Sequence, residues 1–228
     1  MESAMKIGII IAIQRELEAF LSSGSEITEV SIGKKTVLRT VMDGHEVFAA
    51  LSGCGEIDAA AATQLLISCC GCGLVLNFGV TGALDPSLRV EDLFIVTRVC
   101  HYDFDVSPID PVKKHQYAEF PDEFIPLDAG LAAKAAALFP ELRKAAVASG
   151  DSFVEDRSRK LELAALGCQI CDMEIAAIAR VCALNGVPCL SVKCISDTFD
   201  GTGADFDRNV SRSAAAAFSV LRKIISSL

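Results

Sequence analysis

An α/β fold is predicted by three observations. Apolar runs of strand length alternate with helix-patterned segments along the whole chain, several of those runs stop at glycine-containing loops, and no repeat, low-complexity tract or linker interrupts the alternation. With 228 residues, 51% of them hydrophobic, the chain can bury a sizeable core, and residues 1–228 read as one domain. The net charge of −9 and the lack of clustered Lys and Arg argue against nucleic acid or an anionic membrane surface as a partner.

Met5 to Ala12 is a continuous apolar run, and Gln14 to Phe20 follows it directly with helical character. Glu16 thus falls in the first turn of a helix at the carboxyl end of a strand, where α/β proteins bind ligands; an acidic residue there also favours the helix dipole without any further role. Between Ile27 and Gly53 the pattern shortens and alternates. Asp43-Gly44 separates the runs 36–42 and 46–51, which is a hairpin signal. Ser52-Gly-Cys-Gly-Glu-Ile57 leads into an alanine-rich helix over 58–68, whose exposed amides are expected to hold a polar ligand group or an anion. This stretch is neither a dinucleotide fingerprint nor a P-loop.

Leu74 to Phe78 is the next buried strand, and Gly79-Val-Thr-Gly82-Ala83 is expected to break it. Leu93 to Val99 forms another. The polar stretch from Cys100 to Leu127, with prolines at 108, 111, 121 and 126, reads as a lid, a partner surface or disorder. His101, Tyr102, Asp103 and Asp105 crowd its start as hydrogen-bonded loop residues, because nothing else in the chain completes a metal site; neither metal nor cofactor is expected. A helix over 129–139, a strand over 144–149 ending in Gly150-Asp-Ser-Phe153, and a helix over 156–166 come next. Then Met173-Glu174 opens an apolar helix that ends at Asn185-Gly186, and a buried strand over 187–195 delivers Ser196-Asp197 into a loop. One carboxylate begins an element and another lies just past the end of the next, so both can face a single cleft. Arg208 to Leu228 closes the chain as a helix apolar at Ala214, Ala217, Phe218, Leu221 and Ile225.

Ten cysteines raise the question of a disulfide framework, yet MKIGIII reads as a first strand and not as a charged-then-apolar leader. Cys69, Cys70, Cys72, Cys100, Cys182, Cys189 and Cys194 lie in or beside apolar runs, where cysteine acts as a small hydrophobe, and a reducing, cytoplasmic location is expected. Cys168-Gln-Ile-Cys171 matches CxxC without a second pair or a histidine at zinc spacing.

Several separated segments, IGIIIAIQREL, SGCGEIDAAAATQLLI, NFGVTGALDPSLRVED, HYDFDV, SGDSF, DMEIAAIARVC and VKCISD, together resemble the 5′-methylthioadenosine/S-adenosylhomocysteine nucleosidases of the nucleoside phosphorylase superfamily. The resemblance covers most of the chain; its specific part is the pairing of DMEIAAIARVC with ISD after the early Glu16. It implies a nucleoside phosphorylase-like three-layer α/β/α fold with a central mixed sheet. It also implies hydrolysis of the N-glycosidic bond of a purine nucleoside, such as 5′-methylthioadenosine or S-adenosylhomocysteine, with release of adenine. In that family's scheme Glu16 activates the attacking water, and Asp197 hydrogen-bonds the adenine and delivers a proton to N7. Glu174 holds the ribose hydroxyls, Met173 lies against the sugar, Phe153 stacks on the base and backbone groups at Val154 read its edge. Cys54, Val80, Thr81, Lys193 and Ser196 complete the implied substrate-binding set. A homodimer is implied as well, with the loop near Val106 and Ile109 reaching the neighbouring site.

The residue chemistry agrees with this scheme. Breaking an N-glycosidic bond requires stabilising a cationic sugar while the purine leaves with excess electrons. A protonated Asp197 relieves the leaving group, an ionised Glu16 takes the water's proton, and Glu174 accepts from two vicinal hydroxyls. Taken singly, each has an ordinary structural role: Glu174 at a helix N-terminus, Asp197 as a cap, Met173 and Phe153 in the core. Two positions depart from the family's pattern. Lys193 stands where Arg is usual, and Val80 where a small hydroxyl residue commonly sits, with Thr81 adjacent as a substitute. The departures keep three rivals in view: a phosphate-dependent phosphorylase, a futalosine-type hydrolase and a nucleoside-binding protein without turnover.

Overall fold

Strand β1 (Lys6–Ile11) is apolar on both sides because both sides are covered: Ile7, Ile9 and Ile11 enter one core cluster and Ile10 the other. The protein is seen here as a computed structural model that describes residues 4–22, 24 and 26–228. In chain order β1 is followed by α1 (Gln14–Leu21), β2 (Thr28–Ile32), β3 (Lys35–Met42), β4 (His45–Leu51), α2 (Glu56–Cys70), β5 (Leu74–Ala83) and β6 (Leu93–His101). Then come β7 (Ile125–Pro126), α3 (Ala129–Leu138), β8 (Arg143–Ser149), α4 (Arg157–Ala165), β9 (Ile170–Asp172), α5 (Ile175–Asn185), β10 (Cys189–Asp197) and α6 (Gly203–Ile225). The strands form one mixed sheet. α1, α3 and α6 pack on one face, and α2 and α5 on the other, giving the three layers expected.

The sheet folds back on itself. β1 lies parallel between β4 and β5, the β2–β3–β4 meander extends one side, and β5–β10–β6–β8–β9 closes a circuit back to β5. β5 pairs with β1 only over Leu74–Asn77 and with β9 only at Gly82 and Ala83, while β10 runs along its other edge. The backbone around Gly79 to Thr81 therefore has no strand partner on the β1 side. The site lies at that gap.

Several boundaries differ from the sequence reading, each for a local reason. β5 continues through Gly79-Val-Thr-Gly82-Ala83, since its ladder with β10 holds as far as Gly82. Three-residue β9 carries no periodic signal and was not foreseen. α6 starts at Gly203, well before Arg208, because Thr202 and Asp205 form a reciprocal capping box. Cys69, expected in the core, is exposed together with Cys54, whereas the other cysteines are buried; α2 packs on α5 along one side and turns Cys69 to solvent. The 100–127 stretch is tied down by hydrogen bonds. His101 Nδ1 meets Tyr117 Oη at 2.8 Å, Asp103 Oδ2 accepts from Asp151 N at 3.0 Å, and Phe104 stacks on Tyr117 at 4.0 Å. No described helix is long and apolar enough to cross a membrane.

Candidate active site

Glu16 reaches the gap beside β5 by bending back from the first turn of α1. Its Oε2 accepts from Ala12 N (3.1 Å) and Ile13 N (3.3 Å), and its Oε1 takes Val80 N (2.9 Å), a ladder amide that β1 leaves free. The approach demands a glycine: a Cβ at Gly79 would lie 2.3 Å from Glu16 Oε1. Burial pushes the Glu16 carboxyl up, against the opposing pull of Lys193 and three amides.

Asp197 ends β10. The register of β10 against β5 slips between Ile195 and Asp197, which inserts Ser196 as an extra residue and turns the Asp197 side chain over Gly82. Ser196 Oγ donates to Asp197 Oδ1 at 2.8 Å, and a Cβ at Gly82 would sit 2.9 Å from Asp197 Oδ2. Only 2% exposed, the Asp197 carboxyl is raised by burial, with Ser196 and Lys160 opposing. Burial thus favours its protonated form, as it does for Glu16 and Glu174.

Glu174 is the N-cap of α5, not its first helical residue. Its Oε1 accepts from Gly55 N at 3.1 Å, and Glu56 N donates to Asp151 Oδ1 at 2.7 Å. The amides at the start of α2, expected to hold a ligand group, are thus engaged by the protein's own carboxylates. Gly55 sits at φ +99°, and a Cβ there would also lie 2.9 Å from Asp151 Oδ1. Burial and then the neighbouring Asp172 raise Glu174 to about 7, while Lys193 and the Gly55 amide pull the other way.

Lys193 does not line the cavity. It lies buried behind the wall, its Nζ 2.7 Å from Asp172 Oδ2. Burial alone would push the ammonium down, but Asp172, Glu174 and Glu16 together outweigh it and hold it above its ordinary value. Glu56, which sequence reasoning passed over, is a further buried carboxyl. It accepts from Ser149 Oγ and from Ala177 N, both at 2.6 Å, and burial with Asp172 raises it to about 8.

A cavity of about 490 Å³ opens onto this arrangement, and Glu16, Glu174 and Asp197 all line it. So do Cys54, Val80, Thr81, Phe153, Met173 and Ser196. Thr81 turns its hydroxyl proton to Cys171 O (2.7 Å), leaving only acceptor capacity for a bound molecule. Val154 belongs to a smaller adjoining recess of about 30 Å³ shared with Phe153, Met173 and Asp197. Phe153 is 47% exposed and meets Phe206 edge-on at 5.7 Å, an aromatic pair at the entrance. Sequence reasoning missed Asp172, which adjoins Met173-Glu174, and the Arg15–Asp207 pair, whose residues lie at opposite ends of the chain.

Comparison with known proteins bears on the family and the fold. A model described as the phosphorylase superfamily matches residues 6–226. An aminodeoxyfutalosine nucleosidase of Helicobacter pylori is 31% identical over 232 residues, covering 98% of this chain and 99% of that protein. A 5′-methylthioadenosine/S-adenosylhomocysteine nucleosidase of Shewanella piezotolerans is 33% identical over 214 residues, covering 90% and 92%. The crystal structure of a Helicobacter pylori 5′-methylthioadenosine/S-adenosylhomocysteine nucleosidase, complexed with an amino-pyrrolopyrimidine ligand, superposes with a TM-score of 0.93 at 29% identity over 100% of both chains. The fold, the carboxylate-lined cavity and these matches make the chain a member of the phosphorylase superfamily, within its group of 5′-methylthioadenosine/S-adenosylhomocysteine and aminodeoxyfutalosine nucleosidases.

Proposed function

We propose that this chain hydrolyses the N-glycosidic bond of a 5′-substituted adenine nucleoside, such as 5′-methylthioadenosine or S-adenosylhomocysteine, releasing adenine and a ribose derivative. The observation that carries the reading is the meeting of three separately anchored, buried carboxyls on one cavity. Glu16 is held by three amides in a fixed orientation, and its raised pKa makes it a stronger base toward a water. Asp197 is raised by burial and can pass its proton to the leaving purine. Glu174 accepts from the ribose hydroxyls and favours positive charge on the ring, with Met173 against the sugar and Phe153 against the base.

Water is favoured over phosphate as the acceptor by the charge of the wall. Arg15, beside Asp207 on the outer wall, is the single cation among the described lining residues, while Lys193 is sealed behind the cavity. A phosphate site needs several cationic or hydroxyl donors. Aminodeoxyfutalosine is a second candidate substrate, supported by the 31% identity to a nucleosidase of that name; it changes the 5′ substituent and keeps the chemistry. The same reading takes residues 1–228 as one domain and the protein as a cytoplasmic homodimer. In that dimer the loop carrying Val106 and the 84% exposed Ile109 reaches the neighbouring cavity.

Adenine release from methylthioadenosine, S-adenosylhomocysteine and aminodeoxyfutalosine, each with and without phosphate, tests the assignment. Turnover without phosphate is expected, together with losses of about 10²–10⁴-fold in Glu16→Gln and in Asp197→Asn at unchanged far-UV circular dichroism. A strict phosphate requirement would replace hydrolysis by phosphorolysis, and binding with no release would leave a nucleoside-binding protein.

A further inference from the structure

The side chains of Ile13 and Arg15 at the start of α1, and of Phe206 and Asp207 near the start of α6, line the cavity without taking part in the carboxylate chemistry. Ile13 and Phe206 are partly buried. Arg15 and Asp207 lie farther out, with side chains 42% and 66% exposed, so this wall passes from apolar to charged toward solvent. Arg15 Nη1 lies 3.1 Å from Asp207 Oδ1 and 3.1 Å from Asp207 O. The remaining guanidinium donors and Asp207 Oδ2 have no hydrogen-bond partner among the described residues, so the pair presents free donors beside a free acceptor.

An exposed ion pair adds little to stability, so tethering α1 to α6 is a weak reason for placing both charges on the cavity wall. Its chemistry matches an α-amino acid: a carboxylate accepts from a guanidinium while the adjoining ammonium donates to a carboxylate. The base and ribose are assigned to Asp197, Phe153 and Glu174, which leaves the 5′ substituent for this wall. We infer that Arg15 and Asp207 form a specificity site for a zwitterionic α-amino-acid end on the 5′ substituent, reached along an apolar thioether stem that lies on Ile13 and Phe206. The inference rests on the nucleosidase reading above. It ranks S-adenosylhomocysteine above methylthioadenosine by recognition of the tail and not of the nucleoside.

The test is the ratio of kcat/KM for S-adenosylhomocysteine to that for methylthioadenosine, measured in the unmodified chain, in Arg15→Ala and in Asp207→Ala. Two further 5′-thioethers, one ending in a carboxylate alone and one in an ammonium alone, separate the two charges. The ratio is expected to fall roughly three- to fivefold in each variant, chiefly through KM, the size of one exposed charge-assisted contact. Arg15→Ala should penalise the carboxylate-only compound and Asp207→Ala the ammonium-only compound. General damage to the fold or to the catalytic groups lowers both substrates together and leaves the ratio in place. A ratio that moves less than about twofold while adenine is still released from both substrates overturns this inference alone. Release from neither substrate by the unmodified chain overturns the hydrolase assignment and the inference with it.

Discussion

Glu174 carries the most legible pH signature of the site. Raised to about 7 by burial and Asp172, it would, in the proposed scheme, accept from the ribose hydroxyls most strongly when ionised. KM is therefore expected to rise as pH falls through about 7, and to be flat above it, with kcat less affected. Lys193 opposes the shift, so Lys193→Met should move the KM midpoint upward and should also destabilise the fold by leaving Asp172 buried without its cation. KM profiles of the parent and of this variant between pH 5.5 and pH 9 check both statements; coincident midpoints would remove Lys193 from the electrostatics of the sugar site. At this scale the sequence was informative about residue types and order. Glu16, Met173, Glu174 and Asp197 stand out by their motifs, while Glu56 does not, because nothing in Gly-Glu-Ile says that its carboxyl turns inward to Ser149 and Ala177.

Among the elements, β5 does the most to assemble the cavity. Its two glycines read as strand breakers in one dimension, yet each is the point where a carboxyl from another element comes to rest: Glu16 over Gly79 and Asp197 over Gly82. Gly79→Ala is expected to keep the fold and lose about 10²-fold in kcat/KM, because a Cβ 2.3 Å from Glu16 Oε1 must displace that carboxylate and disturb its bond to Val80 N. Steady-state kinetics with a circular-dichroism control would show it; full activity would mean that Glu16 need not stand where it does. The long apolar runs announced β1, β5, β8 and β10, since a strand covered on both faces has few polar positions to confuse the reading. β9 escaped because three residues define no period, and its place is set only by pairing with β5 and β8.

For the whole molecule, the inward carboxyls set a cost that grows with pH. Glu56 is raised from 4.5 to about 8, so the folded state binds its proton more tightly than the unfolded chain does. The stability from this group is complete below about pH 4.5 and is lost as pH rises through about 8. Glu16, Glu174 and Asp197 are shifted in the same direction and add to the trend. Glu56→Gln keeps a hydrogen-bonding amide between α2, β8 and α5 and is expected to lower the drop in Tm between pH 5 and pH 8.5. An unchanged drop would show that Glu56 ionises freely in the folded protein. The sequence by itself determined the α/β class, the family, and the three carboxyls that the fold brings to one cavity, because apolar runs and short motifs are local and survive without the fold. Only the tertiary structure decided that Lys193 lies behind the cavity, that the amides opening α2 serve the protein's own carboxylates, and that Arg15 meets Asp207 at the rim. Those facts depend on where a closed sheet brings residues far apart in the chain, and on which charges it leaves without water, and no local pattern encodes either.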